Sequence, residues 1–359
     1  MNVLSIIMAV FAVLGAIDYV IGNRLGIGKE FETGASMMSV MLLSMVGMIL
    51  FAPVLANLLL PLTQLISKYT PFDPSVLSGM ILANDMGGAP LCAEIAQNGV
   101  MGAFNGLVVG ATLGATVSYT IPFSLGVIEK EFHTDVLIGI LCGIVTVPLG
   151  CLVSGLMLKI PFKALVLDLV PIIVFSIIVV LGLLKFPSAM VKIFSAIGKV
   201  ILAVIIIGLV LGVVEFLTGF KAIPGLAPLD EGIDVIVNTT CIMMGAFPLV
   251  HILSKILSRP LSAVGKKLGL DNTSILGFVA SAASFATCVG LVKHMNKKGR
   301  IANLAFAVSG AFTFAGHLAF TMATNADFVA PVVVGKLIGG ISAIALSMLI
   351  YKKLFGNQI

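Results

Sequence analysis

Charged residues are scarce in this sequence. Asp, Glu, Lys and Arg make up only 10% of its 359 residues, whereas hydrophobic residues make up 59%. The mean hydropathy is +1.18. A soluble domain carries about 25% charged residues because its surface must face water. This chain has too little polar surface for that, so we predict that its solvent is the lipid bilayer.

Several signatures of nucleotide binding and catalysis are also missing. The sequence has no G-x-x-x-x-G-K-[ST] phosphate-binding loop, no H-E-x-x-H zinc motif and no G-x-S-x-G nucleophile turn. Its five cysteines form no C-x-x-C pair, and most of its basic residues lie in loops between apolar runs. These absences argue against an ATP-driven pump and against an enzyme. We predict no cofactor, no metal site and no nucleic-acid partner.

Long apolar runs dominate what is present. A helix needs about 20 mostly apolar residues to cross a bilayer. Two segments, 75–96 and 274–292, are long enough but are broken by polar residues or rich in small ones. Nine clearer runs cover residues 3–21, 37–60, 101–125, 136–158, 165–184, 200–218, 235–257, 302–322 and 328–350. The fold class predicted is an all-α polytopic membrane protein with about 9–11 transmembrane segments.

The two weak segments occupy corresponding places in an internal repeat. At an offset of 198 residues, Asp73 falls on Asp271 and Asn105 falls on Asn303. The order of apolar runs recurs as well. We predict one integral membrane unit made of a first repeat over residues 1–160, a joining span and loop over 161–196, and a second repeat over 197–359.

The basic residues suggest how the repeats are oriented. Cytoplasmic flanks of membrane spans carry an excess of Lys and Arg. If both weak segments are re-entrant hairpins, sixteen basic residues fall on one face and four on the other, with Lys336 left inside the last span. The halves then run in opposite directions, as in many transporters. This predicts two inverted repeats, an external N-terminus and a cytoplasmic C-terminus.

The first weak segment contains the most informative residues. Asn84 and Asp85 precede Gly87, Gly88 and Pro90 within an otherwise apolar run. Irregular backbone is tolerated at membrane depth only where protein buries it or water reaches it. An acid at that depth is usually retained for a function. We predict that Asp85 and Asn84 bind a small cation beside this broken backbone. The alternative is a surface loop in which Asp85 only caps a helix.

Two further ionisable residues are candidates. Glu94 shares a positively charged substrate with Asp85, acts as a proton acceptor, or is a solvated residue at the mouth of the path. His317 either relays protons or is a neutral residue bonded to a neighbouring helix, since its ordinary pKa near 6.5 allows both. Phe312 or Phe314 offers an aromatic face on which an ammonium group could stack.

Polar residues at helical spacing mark two candidate faces. Those in the second half are Asn303, His317 and Thr321, and those in the first half include Asn105 and Tyr119. Residues at such spacing share one side of a helix, so we predict that both faces line the path. Gly106, Gly110 and Gly114 recur every four residues, which predicts close contact between helices.

Three stretches resemble a known family. They are L-G-A-I-D-Y-V-I-G-N at 14–23, S-M-V-G-M with A-P-V-L-A between 44 and 56, and L-A-N-D-M-G-G at 82–88. They are similar to the ethanolamine permease family encoded in ethanolamine-utilisation operons, over essentially the full length. The resemblance implies a multi-pass protein of the bacterial inner membrane. It also implies that the protein admits ethanolamine to supply a cobalamin-dependent ammonia-lyase pathway.

The residues fit that substrate. Ethanolamine is a small primary ammonium with one hydroxyl, so its pocket needs one carboxylate and a few amide or hydroxyl partners. Asp85, Asn84 and one polar face would provide them. Two alternatives remain open, namely a channel for neutral amine or ammonia, and an intramembrane enzyme or sensor that uses His317. The base rate of symmetric assemblies favours a homodimer.

Overall fold

The computed structural model describes residues 3–356, without the side chains of residues 257–259, 261, 262, 264 and 266. The described residues are largely helical, with 86% helix and no β-strand. The outer ends of the two predicted repeats, residues 1, 2 and 357–359, lie outside the described residues.

The α-helices in the described part of the chain are numbered in order. They are α1 Val3–Val20, α2 Ile27–Met41, α3 Gly47–Tyr69, α4 Ser75–Ile81, α5 Gly88–Ile95, α6 Gly99–Phe104, α7 Ile121–Val127, α8 His133–Met157, α9 Phe162–Lys185, α10 Pro187–Thr218, α11 Leu229–Lys267, α12 Asn272–Ala283, α13 Phe285–Leu291, α14 Lys297–Gly310, α15 Gly316–Thr324 and α16 Val329–Phe355. Two π-helical stretches, Asn105–Gly114 and Thr116–Thr120, join α6 to α7.

Within residues 3–356, eight helical stretches are long and apolar enough to cross a membrane. They are Val3–Val20, Ile27–Tyr69, Gly99–Val127, Lys130–Met157, Phe162–Lys185, Pro187–Thr218, Leu229–Ile256 and Ala326–Phe355. The prediction of an all-α polytopic membrane protein is confirmed. The predicted run 37–60 lies inside a longer helix of 43 residues, in which the π-helical turn Leu42–Val46 joins α2 to α3.

The predicted span 302–322 is not one continuous helix, because it is divided between α14 and α15. The chain leaves the helical conformation between α14 and α15, over residues 311–315. There the N–H groups of Phe312 and Phe314 donate to the carbonyls of Ser281 and Ala282, both at 3.0 Å. These partners replace the helical ones, which an irregular stretch at membrane depth requires.

The broken pair α14–α15 nevertheless runs the full length of its neighbours. Lys297, at the start of α14, lies 3.7 Å from the ring centroid of Phe355, at the end of α16. Arg300 forms an ion pair of 2.9 Å with Asp135, at the start of α8. α15 ends at Thr324, five residues before α16 begins. Among the described residues, the pair is therefore antiparallel to α16 and extends along its length.

Residues 75–95 form a re-entrant hairpin, which we call the first hairpin. The Asp73 carboxylate accepts the N–H of Ser75 at its entrance, at 3.0 Å, and those of Gln97 and Asn98 at its exit, both at 3.1 Å. Both ends therefore lie on one face. A helix rises 1.5 Å per residue, so the arms of seven and eight residues carry the tip about 10 Å inward.

Residues 272–291 form the second hairpin in the same way. The Asp271 carboxylate accepts the N–H of Ser274 at the entrance, at 2.7 Å, and that of Asn296 just past the exit, at 2.5 Å. The chain turns at Ser284, whose backbone is extended with φ −151°. Each weak segment thus enters and leaves on a single face, as predicted.

Candidate functional site

A cavity of about 910 Å³ is lined by both hairpins. It begins near the exposed Lys255 and the half-buried Glu30 and ends at His317, which is 3% exposed. The tip of the first hairpin contributes Asp85 to its wall, and the tip of the second contributes Ser284. Much of the remaining wall is apolar and includes Met37, Met41, Met45, Met243, Phe247 and Phe320.

Local backbone geometry places Asp85 on this wall. Asn84, Asp85 and Met86 form one turn of 3₁₀-helix between the arms of the first hairpin. Gly87 then has φ +99°, and a Cβ there would lie 1.9 Å from the side chain of Met48. Only glycine can adopt this positive φ and also leave room for the side chain of Met48. The turn leaves the Asp85 side chain 29% exposed, the one acid at the tip.

Gly88 and Pro90 start the returning arm of the hairpin. Both lie in the first turn of α5, where backbone N–H groups have no partner within the helix. A proline there removes no helical hydrogen bond. A Cβ on Gly88 would lie 2.6 Å from the carbonyl oxygen of Leu82, so the arms approach each other closely at this point.

The glycine row of the first half packs directly against the first hairpin. A Cβ on Gly106 would lie 2.7 Å from the Cα of Ala89, and one on Gly114 would lie 2.1 Å from the carbonyl oxygen of Leu82. Gly110 faces the backbone of Asn84 at 3.1 Å. The predicted close contact is confirmed, and it presses the hairpin tip against the π-helix Asn105–Gly114.

A buried lysine completes the deep end of the cavity. The Nζ of Lys336, in α16, lies 3.1 Å from the Nδ1 of His317 and also donates to the carbonyl of Ala111. Lys336 is only 2% exposed. A lysine ammonium only donates, so Nδ1 of His317 accepts and its Nε2 carries the hydrogen. That Nε2 lies 3.9 Å from Oδ1 of Asp85, beyond hydrogen-bond distance.

Lys336 is a candidate site residue that the sequence analysis did not identify. The signal was available, because lysine inside a span is as costly as an acid there. The division of basic residues between the two membrane faces leaves Lys336 inside the last span, assigned to neither face. Lys336 is buried beside His317 and within reach of Asp85. The three residues are one acid, one base and a neutral ring between them.

Aromatic rings form the wall beside these groups. The Phe312 ring lies 5.1 Å from the His317 ring and 5.9 Å from the Tyr119 ring, measured between centroids. All three residues line the cavity. Tyr119 and His317 therefore lie where the sequence predicts, and Phe312 rather than Phe314 offers the aromatic face.

Asn105 and Asn303 do not line the cavity, against the prediction for the two polar faces. Asn105 donates to the hydroxyl of Ser75 at 3.0 Å, and Asn303 donates to the carbonyl of Ser274 at 2.9 Å. Both are fully buried. Each amide ties the helix after a hairpin to the first arm of that hairpin, so its role is structural support.

Asn84 and Thr321 are buried away from the cavity wall. Both are 0% exposed. Neither Nδ2 nor Oδ1 of Asn84, nor Oγ1 of Thr321, has a hydrogen-bond partner among the described residues. Of the two predicted partners at the hairpin tip, only Asp85 faces the cavity.

Glu94 lies in a different cavity from Asp85. It is exposed and lines a second space of about 290 Å³, together with Asn57, Thr63 and Gln97. The structure therefore does not bring Glu94 to a substrate held by Asp85. Of the three roles considered, this position fits the solvated residue at a mouth.

A comparison with protein families shows to which family the chain belongs. A family model described as "Ethanolamine utilisation protein, EutH" matches residues 1–350. The chain belongs to the EutH family. The predicted resemblance is confirmed, and the EutH chain is a multi-pass membrane protein.

Curated relatives agree with the EutH assignment. The chain is 40% identical over 347 residues to "Probable ethanolamine permease EutH" of Listeria monocytogenes, covering 97% of this chain and 93% of the relative. It is 36% identical over 352 residues to the Escherichia coli protein of the same name, with 91% and 86% covered. It is 38% identical over 339 residues to "Uncharacterized protein YxeR" of Bacillus subtilis, with 94% and 92% covered. No solved structure matches the chain significantly.

Proposed function

We propose that this protein is a permease or facilitator that carries ethanolamine across the bacterial inner membrane. The observation that carries the proposal is the Asp85 carboxylate, which faces the deep end of a large cavity at the tip of a re-entrant hairpin. The printed names of the relatives from Listeria monocytogenes and Escherichia coli support the substrate class.

The deep end offers one partner for each part of ethanolamine. The Asp85 carboxylate pairs with the ammonium, and the rings of Phe312 and Tyr119 face it from the side. An ammonium over an aromatic face gains about 0.5–2 kcal/mol. The Nε2 of His317 faces the same space and is placed to hydrogen-bond the hydroxyl.

The size of the substrate limits its affinity. The best small ligands gain about 1.5 kcal/mol per non-hydrogen atom, so the four such atoms of ethanolamine supply at most about 6 kcal/mol. That corresponds to a Kd no tighter than about 40 μM. A cavity of about 910 Å³ is far larger than ethanolamine, so one substrate molecule fills only a small part of it. Weak binding in a wide cavity suits a facilitator.

The first hairpin is the barrier between the two sides. Its tip lines the large cavity, whereas Pro74 and Glu94, at its base, line the smaller one. We propose that the repeats are inverted and that the face rich in Lys and Arg is cytoplasmic, with the N-terminus outside. The large cavity then opens toward the cytoplasm, because Lys255 lies at its mouth. Movement of the hairpin would open the other side.

Uptake by purified protein in proteoliposomes tests the proposal. Labelled ethanolamine should enter saturably, with competition by ethylamine, which keeps the ammonium, and none by ethylene glycol, which lacks it. Uptake no faster than in protein-free liposomes would contradict the function. Uptake that rises with the unprotonated fraction and never saturates would instead favour the channel for neutral amine.

A further inference from the structure

Two groups of opposite charge face each other at the deep end of the cavity. Asp85 as a carboxylate and Lys336 as an ammonium balance each other, with the ring of His317 between them. Lys336 is 2% exposed, so its ammonium depends on these partners and on the carbonyl of Ala111 rather than on water. Cys151 of α8 is the other titratable group that lies near it in the described part of the chain.

An incoming ammonium would upset this balance. Ethanolamine on Asp85 would leave the site with two positive charges and one negative charge. An unpaired charge in a low-dielectric interior is strongly unfavourable, and a buried group in that position gives up its proton instead. Lysine is the cation that can do so, because its ammonium loses a proton readily when buried.

Building on the ethanolamine-transport function, we propose that Lys336 is a built-in counter-charge that gives up a proton each time Asp85 receives an ammonium. Transport then exchanges one ethanolammonium for one proton and moves no net charge. Asp85 binds the substrate, and Lys336 acts through His317 as a positioning and charge-compensating residue.

The geometry provides a balanced route for that proton. The Lys336 ammonium passes a proton to Nδ1 of His317, at 3.1 Å, and becomes a neutral amine. The proton on Nε2 of His317 leaves to cavity water beside Asp85. His317 stays neutral and changes only its tautomer, and its new Nδ1–H donates back to the Lys336 amine. The steps reverse when ethanolamine leaves on the other side.

Proteoliposomes with an internal pH dye test the exchange at about pH 6, where a primary amine is almost wholly protonated. In wild-type vesicles, ethanolamine entry should make the interior more alkaline, because each ammonium that enters sends a proton out. An inside-negative potential of about 100 mV should change the accumulation less than about twofold. If one net charge moved with each ethanolamine, the same potential would raise accumulation about 50-fold, which would overturn the inference.

Lys336→Arg separates this exchange from a channel for neutral amine, which would also move no net charge. Arginine keeps the positive charge that pairs with Asp85 but does not give up its proton. The uptake that remains in the variant should therefore respond to the potential about 50-fold and should no longer make the interior alkaline. Uptake by Lys336→Arg that stays independent of the potential would overturn the inference. Lys352→Arg, at an exposed lysine on the same helix, is the matched control and should behave as wild type.

Binding calorimetry tests the inference even for a variant that folds but does not transport. Ethanolamine binding measured in two buffers of different ionisation enthalpy reports the protons released. Wild type should release about one proton per ethanolamine at about pH 6, and Lys336→Arg none. Release of one proton by the variant would overturn the inference. Failure of wild-type protein to take up ethanolamine at all would instead contradict the proposed function.

Discussion

The two hairpins share their supports and differ at their tips. Asp73 and Asp271 each hold the entrance and exit of a hairpin together. At the offset of 198 residues, Asp85 of the first tip falls on Ala283 of the second. The repeated frame is therefore structural, and the charge that we propose binds the substrate belongs to one half only.

The helices that follow the two hairpins also differ between the halves. In the first half that helix is continuous and π-helical from Asn105 to Gly114, with glycines that admit the first hairpin. In the second half it breaks over residues 311–315 and presents Phe312 and His317 to the cavity. The first half supplies the acid and the ring of Tyr119, and the second half supplies Phe312 and His317.

Neutralising one tip should break this asymmetry most clearly. We expect Asp85→Asn to lower ethanolamine uptake in proteoliposomes about 100-fold, because it removes the charge that pairs with a buried ammonium. Ser284→Ala, at the tip of the second hairpin, should lower uptake less than about threefold. Equal losses in the two variants, at equal amounts of folded protein, would show that the tips are equivalent.

Filling the glycine contact should affect stability in the first half. Gly114→Ala would place a Cβ 2.1 Å from the Leu82 carbonyl oxygen, so the hairpin must shift. We expect a loss of about 1–3 kcal/mol in the free energy of unfolding, measured by denaturation in detergent. Gly126→Ala is the control, since nothing lies within 4 Å of its new Cβ. A stable Gly114→Ala variant would mean that the hairpin does not press on this helix.

Removing the aspartate supports should destabilise both halves. Loss of a helix-capping aspartate costs about 0.5–2 kcal/mol. Asp73→Ala should lie at the upper end, because Asp73 also accepts from the Ser75 hydroxyl, at 2.6 Å, and is 9% exposed. Asp271→Ala should cost less. Thermal unfolding of the two purified variants measures the difference, and the reverse order would contradict this ranking.

Changes in the aromatic wall should have the smallest effect. We expect Phe312→Leu to raise the KM for ethanolamine about three- to tenfold, since it removes a ring that faces the ammonium. Tyr119→Phe keeps its ring and should leave KM within about twofold of wild type. A Phe312→Leu variant with unchanged KM would remove the ring from the site.

The sequence predicted the features that depend on local chemistry. The polar break at Asn84 and Asp85, the broken backbone at Gly87 and the close contact of Gly114 all follow from residue types within one segment. The re-entrant path was also predicted, because the basic residues divide between the faces only if both weak segments turn back.

The features that depend on distant partners were not predicted. Nothing in the apolar stretch 311–315 shows that Ser281 and Ala282 accept the hydrogen bonds of its backbone. Asn303 was predicted to line the path. A polar residue in a span can, however, face either water or a neighbouring helix. Only the packed structure distinguishes these two positions.

Access to the first tip tests the central claim most directly, that an acid at this tip holds an ammonium at membrane depth. A cysteine at Met86, which lines the cavity beside Asp85, would be treated with a trimethylammonium-bearing methanethiosulfonate after removal of the exposed Cys241. Ethanolamine at ten times its Kd should slow the reaction of Met86→Cys about tenfold. It should leave Gln97→Cys, at the exposed base of the hairpin, unchanged. Equal reaction rates at both positions, with no protection by ethanolamine, would contradict the account.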